Sequence, residues 1–166
     1  MQLIAQPLSA KAFSPYGELI DIRDSKAITI NEGYTQRFDN LCTVDMANGQ
    51  TPLVNIFRSQ PVNLPFRVRS LERHPLGSQA FIPMQTCSFL VLVAPAQISR
   101  PQAKDLKLFI SQNGQGVNFK RNVWHHFSLA LEKESDFVVI DYGGTADNLE
   151  EHYFSSSEDI LLTLAP

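Results

Sequence analysis

The chain has 166 residues, of which 43% are hydrophobic and 19% are charged, and its formal net charge is −3 at pH 7. This composition is that of a folded globular protein and excludes a disordered chain, and the lack of a basic patch argues against binding of nucleic acid. The N-terminal residues lack the basic segment and long apolar run of a signal peptide. The longest apolar run, 89–96, is too short to cross a bilayer, so we expect a cytoplasmic protein without membrane contact.

In chain order, the first predicted element is a short helix that Ser9 can cap and that the sequence Ser14-Pro15 ends. Short apolar segments bounded by Pro, Gly, Asn or charged residues then predict strands. These segments are 53–57, 80–82, 88–94, 106–110, 127–131 and 137–141. The stretch 147–153 is acidic in its first turn and predicts a second helix.

The runs 89–93 and 138–140 are continuously apolar, which is typical of strands buried on both faces. Pairs such as Asn113-Gly114 and Gly143-Gly144 supply turns between strands. Many short strands with turns at intervals of about eight to twelve residues predict a mainly β fold, an antiparallel barrel or sandwich. No segment is long enough to separate two units, so we expect one domain spanning 1–166.

Two segments about fifty residues apart contain three of the four histidines. Glu72 and His74 are two residues apart, so their side chains share one face of a strand and can enter one pocket. Gln79 immediately precedes the next apolar stretch, residues 80–82. His125 and His126 are adjacent and face opposite ways on a strand, so only one of them can join the same cluster.

Two imidazoles, one carboxylate and one amide oxygen form a mixed set of nitrogen and oxygen ligands. Imidazole suits nickel, zinc, copper or iron, and the oxygen ligands extend this set towards manganese. Glu72 can alternatively orient a ligand or act as a general base. The spacing alone also permits a surface pair of Glu72 and His74 and ordinary packing of Trp124 with the histidines.

The spacing of this cluster resembles the first cupin motif, which reads HxH, four residues, Glu, six residues, Gly. Here Glu72 replaces the first His, Gln79 replaces the Glu and Thr86 replaces the Gly. The second cupin motif retains only its histidine, and that position is His125 rather than His126. The resemblance implies a cupin-like antiparallel β-barrel of the jelly-roll type with a few short helices.

A longer series of blocks is similar to the ureidoglycolate lyase family, also called ureidoglycolate hydrolase. The likeness covers nearly the whole chain, from Pro7-Leu8 and Phe13-x-x-Tyr16-Gly17 through Asn31-x-Gly33, Arg37 and Phe57-Arg58 to Asp141 and Gly143-Gly144. Its central blocks are Leu71-Glu72-Arg73-His74-Pro75, Ser78-Gln79-Ala80-Phe81-Ile82-Pro83, Gly116-Val117-Asn118 and Arg121-Asn122-Val123-Trp124-His125-His126. Tyr142 departs from the pattern, where an Arg is expected.

This resemblance implies a lyase that cleaves ureidoglycolate to glyoxylate and urea in allantoin and purine degradation, and a cytoplasmic homodimer. It also implies a divalent metal, with nickel favoured. The site would consist of His74 and His125, with Glu72 and Gln79 completing the metal shell or acting as base and hydrogen-bond donor. Two arginines, Arg58 and Arg121, are candidates for binding the substrate carboxylate, because guanidinium groups bind carboxylates in a bidentate way.

Two other functions stay open on the sequence alone. One is a different metal-dependent cupin enzyme, an isomerase or a dioxygenase, because His74, His125 and Glu72 can supply a facial triad of two histidines and a carboxylate. The other is a non-enzymatic barrel that binds a small carboxylate. Each arginine can also form an ordinary surface salt bridge, and His126 and His152 are expected to lie outside the site.

Overall fold

The computed structural model describes residues 1–165. Within them the α-helix is α1 (Ala10–Phe13), and short 3-10 turns occupy Asn31–Gly33, Ala47–Gly49 and Ala103–Asp105. The strands are β1 (Gln2–Ile4), β2 (Gln6–Pro7), β3 (Gly17–Ile20), β4 (Ala27–Ile30), β5 (Thr35–Phe38), β6 (Pro52–Ser59), β7 (Phe66–Arg67), β8 (Ser70–Arg73), β9 (Gln79–Pro83), β10 (Phe89–Ala94), β11 (Lys107–Ser111), β12 (Gly116–Phe119), β13 (Trp124–His125), β14 (Leu129–Ala130), β15 (Ser135–Tyr142), β16 (Glu150–Tyr153) and β17 (Leu161–Thr163).

These strands form two large sheets and two small ones. Sheet I has the order β16-β8-β13-β10-β11-β2, with β14 also paired to β10, and sheet II has the order β3-β12-β9-β15-β6. Sheet III is β1-β17-β7, and β4 and β5 form a separate hairpin. Pairing is antiparallel except for β1 with β17 and β2 with β11. The prediction of a mainly β chain is confirmed, although within residues 1–165 the strands form separate sheets rather than one closed barrel.

Strand β10 separates two hydrophobic cores. Phe89, Val91 and Val93 point into a central core between sheets I and II, where the ring of Phe89 lies 5.0 Å from that of Phe137. The alternate residues, such as Leu90 and Leu92, point into a second core between sheet I and sheet III. Because both faces of β10 are covered, its side chains are all buried, as its continuous apolar sequence predicts.

The remaining elements confirm part of the sequence interpretation. Ser9 caps α1 by accepting a hydrogen bond from the backbone N–H of Ala12 at 3.3 Å. The predicted strands at 53–57 and 137–141 are present and longer, as β6 and β15. The run 138–140 is only partly buried, because the side chains of Val138 and Ile140 lie on the outer face of sheet II. The segment predicted as strand 127–131 is strand only at Leu129–Ala130, with β13 just before it.

The predicted helix at 147–153 is wrong. Residues Glu150–Tyr153 are strand β16, which pairs antiparallel with β8 along its whole length. Arg73 of β8 donates two hydrogen bonds to the carboxylate of Glu150, at 2.8 and 2.5 Å. Pairing with the backbone of a strand far away in sequence therefore outweighs the weak helical signal of the acidic residues. No helix among residues 1–165 has the length and hydropathy needed to span a membrane.

Candidate functional site

Three strands bring the four predicted ligands together at one end of the central core. Glu72 of β8 is directly opposite His125 of β13, so both side chains lie on the same face of sheet I. The neighbouring residues Leu71 and Trp124 point to the other face, into the second core. Gln79 is the first residue of β9 in the facing sheet, and His74 follows the end of β8. The alternation of side chains along each strand thus selects His125 rather than Trp124 for this site.

The side chains of Glu72, His74 and His125 lie close together, and Gln79 contacts His125. The Nε2 atom of His125 is 3.7 Å from Oε1 of Glu72, and Nε2 of His74 is 3.9 Å from the same oxygen. The amide oxygen of Gln79 lies 3.1 Å from Nε2 of His125. One ligand atom from each of Glu72, His74 and His125 fits within 4.8 Å of the others.

Backbone carbonyls determine which nitrogen of each histidine carries the proton. The Nδ1 atom of His74 is 2.7 Å from the carbonyl oxygen of Asn148, and Nδ1 of His125 is 2.9 Å from that of Val123. A carbonyl oxygen only accepts hydrogen bonds, so each Nδ1 is the donor, and the lone pair of each ring in its neutral form lies on Nε2. Burial lowers the pKa of His125 to about 3, which keeps this imidazole neutral at pH 7.

The ligand atoms of Glu72, His74 and His125 lie close together, and the amide oxygen of Gln79 lies next to His125. Nε2 of His74 is buried and has no hydrogen-bond partner among the described residues. The amide group of Gln79 lies near the carboxylate of Asp141 and lowers its pKa, while the amide oxygen of Gln79 faces His125. With the proton of His125 on Nδ1, its Nε2 atom and the amide oxygen of Gln79, 3.1 Å apart, are both acceptors and repel each other. A cation that accepts both lone pairs removes this repulsion, so the residues present fit a divalent metal.

The carboxylate of Glu72 is the acidic group of this acceptor cluster. Burial raises the pKa of Glu72, and the nearby charge of Glu151 raises it further, while His74 acts in the opposite direction. The side chain of Glu72 is 30% exposed, so it connects the buried nitrogen atoms to solvent at the mouth of the site. A carboxylate in this position can bind a metal or accept a proton from a bound molecule.

Sequence reasoning missed several residues that orient the cluster. Asp141 accepts a second hydrogen bond, at 3.1 Å, from the side-chain amide of Asn55 on β6, and burial raises the pKa of Asp141. Asn148 also accepts from the N–H of Leu76 with its side chain at 2.7 Å, bracing the turn after His74. The ring of Phe119 stacks on His125 with centroids 4.3 Å apart. Asp141 was detectable in principle, since it lies two residues after the inward-facing residue 139 on one strand.

A segment of the chain next to the site braces the turn between His74 and Gln79. The N–H of Ser78 donates to the carbonyl of Asp45 at 2.8 Å, and the N–H of Asp45 donates to the hydroxyl of Ser78 at 2.9 Å. A side chain at Gly77 would clash with Tyr142, because a Cβ there would lie 2.9 Å from the Cβ of Tyr142. Only glycine therefore allows the turn to pack this closely.

The structure does not bring Arg58 to the cluster. Its strand partner is Asp136, on the outer face of sheet II, and its guanidinium donates to both oxygens of Asp136 at 2.8 and 2.9 Å. The adjacent residues Phe57 and Phe137 occupy the inner face, because side chains alternate along a strand. This register separates Arg58 from the cluster, and a role for Arg58 in binding a substrate carboxylate is not part of our proposal.

Arg121 lies close to the site but forms an ion pair with Asp45. Its Nε donates to the carboxylate of Asp45 at 2.7 Å. Asp45 in turn contacts Ser78, which immediately precedes Gln79. A role for Arg121 in binding a substrate carboxylate stays a prediction.

The other two histidines lie outside the cluster. Nδ1 of His126 donates to the carbonyl of Phe127 at 3.2 Å, and the His126 ring packs against Phe66 with centroids 5.5 Å apart. Burial lowers the pKa of His126 to about 4. His152 of β16 packs against Phe154 and Trp124 on the opposite face of sheet I from Glu72.

Comparisons with known proteins identify relatives of this chain. A family profile described as ureidoglycolate lyase matches residues 1–161. The ureidoglycolate lyase of Pseudomonas fluorescens is 43% identical over 161 residues and 96% of both chains, and that of Burkholderia mallei is 45% identical over 167 residues, 98% of this chain and 97% of its own. The Brucella melitensis protein of the same name is 46% identical over 157 residues, 92% of this chain and 90% of its own.

A solved structure of a 3,4-ketoisomerase from Helicobacter canadensis superposes with a TM-score of 0.43 and 14% identity, covering 85% of this chain and 86% of its own. This similarity is too low to support any conclusion about function. The family profile and the three relatives each cover nine tenths or more of the chain. The chain therefore belongs to the ureidoglycolate lyase family.

Proposed function

We propose that this protein cleaves ureidoglycolate to glyoxylate and urea, as an enzyme of allantoin and purine degradation in the cytoplasm. The substrate is suggested by membership of the family. The observation that carries the chemistry is the convergence of the Nε2 atoms of His74 and His125 on the oxygen atoms of Glu72 and Gln79. Such a set of acceptors costs free energy in a folded protein unless it serves to bind a cation.

The reaction breaks the bond between the central carbon of ureidoglycolate and its ureido nitrogen. The hydroxyl group on that carbon loses its proton and becomes the carbonyl of glyoxylate. The electron pair of the C–N bond moves to the nitrogen, which takes up a proton and leaves as urea. We assign the first proton transfer to the carboxylate of Glu72, because it lies at the mouth of the site and its pKa is raised by burial.

We assign His74, His125, Glu72 and Gln79 as the residues that hold a divalent metal, with nickel as the first choice. When bound, such a metal supplies Lewis acidity worth several kcal/mol to the ionisation of the hydroxyl group. The backbone carbonyls that accept from Nδ1 of His74 and His125 fix both rings so that each Nε2 atom faces the position of the metal. The stacked ring of Phe119 excludes water from one side of His125.

Arg121 is the arginine that we propose for the substrate carboxylate. It is attached to the same turn as Gln79 through Asp45 and Ser78, and its side chain is 38% exposed. Binding would require the guanidinium to share or exchange its contact with Asp45. We also propose that the protein is a homodimer.

The direct test is to incubate the purified protein with ureidoglycolate and to measure glyoxylate and urea separately. We expect both products in equal amounts, loss of activity after treatment with a chelator, and recovery when nickel or another divalent metal is added. His74→Ala should remove nearly all turnover, while His152→Ala, which changes a histidine on the other face of sheet I, should retain it.

Two results would overturn the proposal. One is tight binding of glyoxylate without any turnover of ureidoglycolate, which would indicate a binding protein. The other is normal turnover by a folded His74→Ala variant, which would place the chemistry elsewhere.

A further inference from the structure

A pair of polar side chains lies beside the acceptor cluster and takes no part in the proton transfer or in the metal set proposed above. Asn55 of β6 and Asp141 of β15 are on adjacent strands of sheet II, where Asn55 is directly opposite Val139. The side chain of Val139 points into the central core, and Asp141 is two residues further along the same strand. Asn55 and Asp141 therefore lie on the inner face of the sheet, on the same side as Gln79.

The carboxylate of Asp141 has acceptor positions that the protein does not use. Its Oδ1 atom accepts a hydrogen bond from Nδ2 of Asn55 at 3.1 Å, and the amide group of Gln79 lies nearby. An ionised carboxylate has about four lone-pair positions, so roughly two stay open. Within residues 1–165 no salt bridge reaches Asp141. The open positions of this half-buried group can accept from donors of a bound molecule.

The amide of Asn55 offers one further acceptor. A carboxylate cannot donate to Asn55, so the NH₂ group of Asn55 must face Asp141, and this fixes the direction of its oxygen. In the part of the chain that the structure describes, the Oδ1 atom of Asn55 has no hydrogen-bond partner. The pair thus presents oxygen atoms of two side chains, held together by one hydrogen bond, to the interior.

The chemistry of this side of the site selects one kind of group. An anionic group placed here would meet the carboxylates of Glu72 and Asp141 and would be repelled. A neutral group with several N–H donors would be bound instead. A ureido group has two parallel N–H bonds on neighbouring nitrogen atoms, and this is the arrangement with which a guanidinium group binds both oxygens of a carboxylate.

We propose that Asn55 and Asp141 form the subsite that recognises the ureido group of the substrate. Asp141 accepts the two parallel N–H bonds, and Asn55 holds the carboxylate of Asp141 and accepts from the terminal amide. The identity of the ligand rests on the proposed function. In this arrangement the ureido group is directed towards β6 and β15, and the carboxylate of the substrate is directed away from them. The two residues thereby select hydroxy acids that carry a carbamoyl-substituted nitrogen.

The test compares two stable ligands that differ only in the carbamoyl group. Oxalurate has the skeleton of ureidoglycolate with a carbonyl group at the carbon that bears the hydroxyl, and oxamate is oxalurate without its terminal carbamoyl group. Calorimetric titration of each ligand into the full chain, supplied with one equivalent of nickel, measures both affinities without turnover. We expect the wild type to bind oxalurate at least about 10-fold more tightly than oxamate, because hydrogen bonds to a charged acceptor are strong.

The variant Asn55→Ala should lose most of this preference. It removes one acceptor and releases Asp141 from its hydrogen bond, so the affinity for oxalurate should fall by about 10-fold. The affinity for oxamate should change by less than about twofold, because oxamate lacks the group that Asn55 contacts. The matched control is Asn63→Ala, the same change at an exposed residue between β6 and β7, and it should keep both affinities.

Three results would overturn the inference. The first is a wild type that binds both ligands equally or binds neither. The second is an equal loss of both affinities in Asn55→Ala, which would show that Asn55 supports the site as a whole. The third is a folded Asn55→Ala variant with unchanged affinities. The wild-type comparison needs no substitution, so it decides the matter even where circular dichroism shows that Asn55→Ala is unfolded.

The same measurements separate this inference from the proposed reaction. A preference for oxalurate that depends on Asn55, in a protein that does not cleave ureidoglycolate, would leave the subsite standing while the reaction fell. Cleavage of ureidoglycolate by a protein without this preference would leave the reaction standing while the subsite fell.

Discussion

The two ends of the central core are built from the same strands but differ in chemistry. On β9, Gln79 belongs to the acceptor cluster, while Phe81, two residues further, packs in the apolar core. On β15, Asp141 lies near the amide of Gln79 and accepts a hydrogen bond from Asn55, while residue 139 is fully buried among apolar side chains. A step of two residues along a strand therefore separates packing from a polar site, because such residues share one face.

The adjacent histidines show the same contrast at one point of the chain. His125 and His126 are both buried, and burial lowers the pKa of each. Only His125 has an Nε2 atom among other acceptors. His126 packs against aromatic rings at the apolar side. Burial alone is therefore a poor guide to function, and the identity of the neighbouring atoms separates the histidine that we propose as a ligand from the one that packs.

The largest effect should come from removing the histidine at the polar end. His125→Ala deletes an Nε2 lone pair of the cluster, and we expect turnover of ureidoglycolate to fall by about 10³-fold or more, since metal assistance is worth several kcal/mol. The measurement is steady-state release of glyoxylate at saturating metal, together with calorimetric titration of the metal. His126→Leu is the matched control and should keep turnover within about threefold of the wild type.

Equal losses in these two variants would contradict the contrast between the histidines. Unfolding of His125→Ala is a separate outcome, which circular dichroism detects. In that case His125→Gln, which retains a polar side chain of similar length, replaces it in the comparison.

The next prediction concerns the free energy of unfolding, and it tests His126 on the apolar side of the core. The pKa of His126 is about 4 in the folded protein against an ordinary value of 6.5, so the unfolded chain binds more protons between these pH values. Stability should therefore be highest above pH 6.5 and should fall by about 3 kcal/mol from this residue as the pH drops to 4. Urea unfolding of the wild type and His126→Leu at pH 7 and pH 4.5 measures this difference.

In His126→Leu the fall between pH 7 and pH 4.5 should be smaller, and what is left should come in part from His125. An unchanged pH dependence would show that His126 is protonated without cost in the folded state. The contrast between a packed and a ligand-binding histidine would then need a different explanation.

Much of this arrangement could be predicted from local sequence. The continuous apolar run of β10 and the two-residue spacing of Glu72 and His74 each reflect a rule about one strand. The spacing of the cupin motif also predicted His125 rather than His126 as the inward residue, and the pairing of His125 with Glu72 agrees with that prediction. Such features depend on residues close together in the sequence.

The features that were missed depend on residues far apart. The tautomer of His74 is fixed by the carbonyl of Asn148, 74 residues away, in a segment whose sequence predicts a helix. Arg58 was expected at the site because of its chemistry, but its register with Asp136 places it on the outer face. Backbone pairing of β16 with β8 and the outward alternation of β6 come from tertiary structure, which local patterns do not contain.

The smallest of these effects should come from a residue that orients the site. In Asp141→Asn one carboxylate oxygen becomes an NH₂ group, which cannot accept from both Asn55 and Gln79. The amide of Gln79 is then free to turn, so we expect metal affinity to fall by about 10- to 100-fold, the usual cost of losing such a partner. The matched control is Asp136→Asn, the same change on the outer face of the same strand, and it should leave metal affinity unchanged.

Calorimetric titration of nickel into both variants measures this effect without using turnover. A similar loss in both would mean that the effect arises from strand β15 as a whole, through its stability. A loss only in Asp141→Asn would mean that the contact with Gln79 acts on the cluster itself. Because residues 136 and 141 face opposite sides of one strand, this pair of variants separates the orientation of the site from the stability of the sheet that carries it.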